Sequence, residues 1–149
     1  MSRRVMPFHL ILLFVMAFSS SVFAGEKTDD EPDCLGTFSN MYFHQEAGDL
    51  LGEEIKIVIG EERTDDDAPL IGIFQQAMGA PLNPVIVDVR CGKDGVEFAL
   101  PDDEYGAGSV FRGTITKKGI HGVFTHAKGA RDEVDLPRRA SYWDKRVVH

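Results

Sequence analysis

The side chains with which this chain could do chemistry are few. After residue 24 they are His44, His121, His126 and His149, the serines Ser39, Ser109 and Ser141, and the cysteines Cys34 and Cys91. On one extended strand His121 and His126 stand five apart and point to opposite faces, so they cannot share a metal ion. His44 and Glu46 have the parity for one face, but two ligands at a strand end fall short of a tetrahedral site, and no metal is expected. None of the serines sits in a nucleophile-elbow context. No cofactor motif is present, and none is expected.

What must position these residues starts at Gly25. Arg3 and Arg4 form a positive n-region, LILLFVMAF (Leu10 to Phe18) an apolar h-region, and Val22-Phe23-Ala24 a small-residue cleavage site. The apolar run is too short to span a bilayer, and nothing after Ala24 approaches the length required, so no stable membrane span is expected. The expectation is export to the periplasm or the outside, with residues 1–24 removed after Ala24 and an acidic disordered segment at 25–33. Removing Arg3 and Arg4 from 16 basic residues leaves 14 against 24 acidic ones and takes the formal charge from −8 to −10. A field of that sign repels phosphate backbones, so nucleic acid is excluded as a natural partner. The acidic clusters Glu26 to Asp33, Glu61 to Asp67 and Asp102 to Glu104 read as solvated tail and loop tips, since no twelve-residue calcium loop with a central glycine is present.

Two cysteines in an oxidising compartment are expected to pair, which leaves no thiol for a Cys-His nucleophile. In the chain-entropy picture, closing the loop between Cys34 and Cys91 contributes about 4 kcal/mol.

From residue 34 to 149 the dominant period is two, as expected for half-buried strands. Ile55, Ile57 and Ile59 alternate with Lys56 and Val58; Val85, Val87 and Val89 with Asp88; Val96, Phe98 and Leu100 with Glu97 and Ala99. Leu35 to His44, Leu70 to Gln76, Val110 to Thr116, Ile120 to His126 and Glu133 to Leu136 complete eight strands. Glu46 to Leu51 and Gln76 to Gly79 are the two places where a short turn of helix fits. A two-residue turn at Lys118-Gly119 would pair Ile115 with Gly122 and Gly113 with Phe124, placing Phe111, Ile115, Ile120 and Phe124 on one face. Glycines covered by large neighbours are a device for curving a sheet. The expected fold is therefore all-β, a single antiparallel up-and-down barrel of about eight strands, with a β-sandwich as the alternative. In such a meander Cys34 and Cys91 fall on one rim. An eight-stranded interior either fills with side chains or holds one small ligand, and both outcomes stay open.

Gly36-Thr37-Phe38-Ser39-Asn40, Glu46 to Gly52 (EAGDLLG) and Leu136 to Trp143 (LPRRASYW) resemble segments of small exported bacterial proteins without assigned function. The general layout is similar to calycin barrels of the lipocalin and avidin kind. The Gly-x-Trp opening of lipocalins is absent, because Gly36 is followed by Thr37 and Phe38, so no ligand contacts carry over.

Two functions follow as expectations. One is a binding module, for a small apolar or amphipathic ligand or for an extracytoplasmic protein in an inhibitor-like role. Its candidate contacts are Phe38, Phe74, Phe98 and Phe124 inside, with Tyr42, Arg112, Tyr142 and Trp143, since aromatic and guanidinium groups dominate recognition sites. A hollow lined by the four phenylalanines favours a small ligand; an interior filled by their rings favours surface recognition. The other is an enzyme with a His or carboxylate base at the barrel mouth, which would need a polar cleft joining His44 and Glu46 to Arg112.

Overall fold

The computed structural model describes residues 32–61, 69–101 and 108–144. The leader 1–24, the acidic segment up to Glu31, the clusters at 62–67 and 102–104, and His149 lie outside the described residues.

The alternating runs form nine strands: β1 (Gly36–Ser39), β2 (Tyr42–His44), β3 (Asp49–Ile59), β4 (Leu70–Gly79), β5 (Val85–Gly92), β6 (Gly95–Ala99), β7 (Val110–Thr116), β8 (Gly119–Thr125) and β9 (Arg131–Pro137). All neighbours are antiparallel, in the order β1-β3-β4-β5-β6-β7-β8-β9, with β2 also on β3. The expected Leu35 to His44 strand is broken at Asn40. Its two halves nevertheless continue one register along β3, Ser39 opposite Glu54 and Tyr42 opposite Leu51, so the sheet is eight strands wide. At the break the Asn40 side-chain oxygen, in place of its carbonyl, accepts the Glu53 N–H at 2.6 Å.

The sheet is all-β and nearly closed into a barrel, and the sandwich alternative does not form. Closure comes from the bridge between Phe38 and Arg138, from the Arg139 N–H donating to the Thr37 carbonyl at 3.1 Å, and from the Asn40 side chain donating to the Asp135 carbonyl at 3.1 Å. One end carries Cys34 and Cys91, disulfide-bonded with Cα atoms 6.1 Å apart, on a single rim as the meander requires. Arg138 plugs that end. Its guanidinium sits 4.5 Å over the fully buried Phe38 ring and donates to the Leu35 carbonyl at 2.5 Å. The opposite end, the mouth, carries the turn at 126–130 and the links at 45–48 and 80–84. Neither segment expected to turn helical does so in that form: Glu46 lies in the turn before β3, Asp49 already begins β3, and Gln76 to Gly79 extend β4.

The β7–β8 register differs from the expected one by two residues. Lys117 and Lys118 make the turn, Gly113 lies opposite Gly122, Ile115 opposite Ile120 and Phe111 opposite Phe124. The Thr116 hydroxyl fixes the corner by accepting the Lys118 N–H at 3.1 Å. Large now faces large, small faces small. A shift of two preserves parity, so the four large residues keep the common face the sequence gives them. A Cβ on Gly122 would lie 2.5 Å from the Phe111 ring and 2.7 Å from the Gly113 Cα, which shows how closely the strands approach.

Candidate functional site

Phe38, Phe74, Phe98 and Phe124 belong to the packed core. They are between 0 and 5 % exposed and pack with Phe111, the ring centroids of Phe98 and Phe111 4.9 Å apart and those of Phe111 and Phe124 5.0 Å apart. Among the described residues a cavity of about 40 Å³ lies at the mouth, floored by Phe74, Leu100, Phe124 and Val134 and rimmed by Glu53, Gln76, His126 and Asp132. That volume suits ordered water; small-molecule pockets run to roughly 300–1,000 Å³. Two open grooves of about 360 and 350 Å³ lie on the outer walls, one along Arg90, Glu97 and Arg112, the other along His121, Asp135 and Pro137.

The remaining predicted contacts are dispersed. Arg112 projects outward from β7 and donates through Nε to Glu97 at 2.8 Å; the hydrogen bond and the charge together lower the Glu97 pKa and raise that of Arg112. It does not join His44, whose Nδ1 accepts the Ala47 N–H at 3.2 Å and stiffens the turn that holds Glu46. Tyr42 is half exposed beside the mouth. Tyr142 and Trp143 belong to a C-terminal strap, residues 138–144, that crosses the outer face of β1, β3 and β4. There Tyr142 packs on Met41, Leu50 and Ala77, and the Trp143 indole N–H donates to Gln75 at 2.7 Å.

The structure also assembles what the sequence left scattered. Ser109 Oγ is 2.7 Å from His126 Nδ1, and His126 Nε2 is 2.8 Å from Asp132 Oδ2. The types are those of a nucleophilic triad, but Ser109 is fully buried. The chain of contacts braces the entry to β7 against the β8–β9 corner. One signal in the sequence points to half of it: Lys128-Gly129 marks a turn, which places His126 and Asp132 as diagonal neighbours across the hairpin. Ser109 carries no such mark.

On the outer wall His121 stands between two carboxylates, Nδ1 2.6 Å from Asp135 and Nε2 3.3 Å from Glu133. The hydrogen bond and charge of Asp135, with a smaller contribution from Glu133, raise its pKa. The two nitrogens face different partners, so no single ion is held. No cluster of metal ligands occurs among the described residues, and no helix among them is long and apolar enough to cross a membrane.

No protein-family model, no curated protein and no solved structure matches this chain.

Proposed function

We propose that this chain is an exported, calycin-like binding module that recognises a protein outside the cytoplasm through its surface. The observation that carries the reading is the packed core: five phenylalanine rings share it where a small apolar ligand would sit, and the cavity that the described residues form beside them measures about 40 Å³. Export is supported by the leader chemistry of residues 1–24 and by the Cys34–Cys91 disulfide, which belongs to an oxidising compartment. Recognition is supported by exposed Tyr42, Phe43, Met78 and Trp143 on an otherwise acidic molecule, the residue types that anchor protein interfaces. The surplus of acidic residues favours a basic partner. An enzyme reading would draw on His126 and Asp132 at the mouth, yet the hydroxyl that His126 meets among the described residues, that of Ser109, is buried, and a brace explains the same contacts.

Native mass spectrometry of the protein purified from its own host tests the reading. The expected result is a mature chain beginning at Gly25, two hydrogens lighter than its reduced form, that carries a protein adduct. A retained small apolar molecule would instead assign the barrel interior to a ligand and overturn surface recognition.

A further inference from the structure

The wall of the barrel is not closed along its whole height. Near the disulfide end β1 and β9 are joined by Phe38, Arg138 and Arg139, and Asn40 reaches Asp135. From there to the mouth no backbone hydrogen bond links β2 to β9 among the described residues. Which groups line that gap follows from the ladder. Arg138 donates to the Lys118 carbonyl and His126 to the Ala130 carbonyl. The β8–β9 register therefore makes Asp132, Val134 and Leu136 the residues that bond to β8, because hydrogen-bonded pairs alternate. The N–H and C=O of Arg131 and Glu133 point away from β8, into the seam. On the facing edge the Asn40 N–H donates to the Glu53 carbonyl, so by the same alternation Tyr42 and His44 bond to β3 and Phe43 presents its backbone to the gap. Two short edges face each other there, and among the described residues their seam-facing backbone groups have no backbone partner.

We propose that this seam is a strand-addition site and that its occupant is an extended, basic segment of the partner protein. The proposal rests on the surface-recognition reading and names where that recognition occurs. Bare edges invite pairing with any extended chain, including a second copy. Charge separates the candidates. The seam-facing edge reads Arg131-Asp132-Glu133-Val134-Asp135, and Glu53 stands across the mouth from Asp132, so a second copy would bring like charge against like. Lysine or arginine alternating with apolar residues meets complementary charge and can set an apolar side chain beside Val134.

The probe is an eight-residue peptide of alternating lysine and valine, blocked at both ends, titrated into the full mature chain. It is compared with a glutamate-valine peptide of the same length and a lysine-valine peptide N-methylated at every second amide. Binding of the first at least tenfold tighter than either control, with amide exchange at Arg131, Glu133 and Phe43 slowed at least tenfold, supports the seam. Glu133→Pro should weaken binding by a similar factor, since it removes a seam-facing donor and spares the β8 ladder. Equal binding of the N-methylated peptide reduces the contact to charge alone and overturns the proposal. Undiminished binding to a folded Glu133→Pro variant also overturns it, while leaving surface recognition elsewhere intact. A mature chain that is dimeric by light scattering and dissociates on adding the peptide assigns the seam to a second copy, which overturns the basic partner.

Discussion

At the scale of single residues, two side chains carry measurable consequences. His121 lies between Asp135 and Glu133 on the outer wall, and its raised pKa means that the folded state holds the imidazolium more tightly than the unfolded chain does. The sign follows directly: the contribution is complete below the unfolded value of about 6.5 and is lost as pH rises through the higher folded value. Proton NMR should find His121 titrating above its ordinary range in the wild type and moving down in Asp135→Asn. The stability difference between the two proteins should be largest on the acid side and fade as pH rises. A His121 that titrates identically in both would remove the pairing. Glu54 is the second case. It is only 6 % exposed on the outer face of β3 and accepts the Ser141 hydroxyl and, at 2.8 Å, the Tyr142 N–H. Glu54→Ala strands both donors under the strap, a loss of about 1–3 kcal/mol. Urea midpoints measure it; an unchanged midpoint, with the m-value also unchanged, would mean the strap is not held there.

At the scale of elements, the β7–β8 hairpin is the sharpest test of the architecture. Gly113 and Gly122 face each other inside the sheet, and a Cβ on Gly113 would lie 2.9 Å from the Gly122 Cα and against the His121 carbonyl. On Gly122 the obstacles are the Arg112 carbonyl and the ring of fully buried Phe111, each 2.5 Å from a Cβ placed there. Valine at either position is therefore expected to lower stability by at least about 1–3 kcal/mol, despite its better strand propensity. Denaturant melts of Gly113→Val and Gly122→Val report this, and a midpoint that holds or rises for either would contradict the glycine-on-glycine register. The long β3–β4 pair, which runs from Ile59 opposite Leu70 to Leu50 opposite Gly79, extends the sheet toward the mouth. That extension positions Tyr42 and Met78 beside the opening.

At the scale of the whole molecule, the disulfide and Arg138 hold the same end of the barrel. Cys34 and Cys91 are 57 residues apart in sequence, and in the chain-entropy picture their link constrains the unfolded chain by about 4 kcal/mol. The double variant Cys34→Ser/Cys91→Ser should lose roughly 2–4 kcal/mol yet keep its far-UV circular dichroism, because the strand ladders do not run through the bridge. Collapse of the spectrum under native conditions would show that the bridge is needed to form the barrel at all. The sequence by itself determined the alternating faces of the strands and the pairing of the two cysteines, but not the break at Asn40 or the reach of β3 and β4 to the mouth. Alternation is a local property that survives a two-residue slip, and two thiols have one partner each. The tertiary structure decided the rest, because each remaining question is about distance between segments remote in the chain. Whether Phe38, Phe74, Phe98 and Phe124 fill or line the interior depends on barrel radius. Register by two residues depends on which strands can approach at Gly113 and Gly122. Ser109, His126 and Asp132 meet only once β7, β8 and β9 are side by side, and the seam between β2 and β9 appears only where the two ends of the sheet come together.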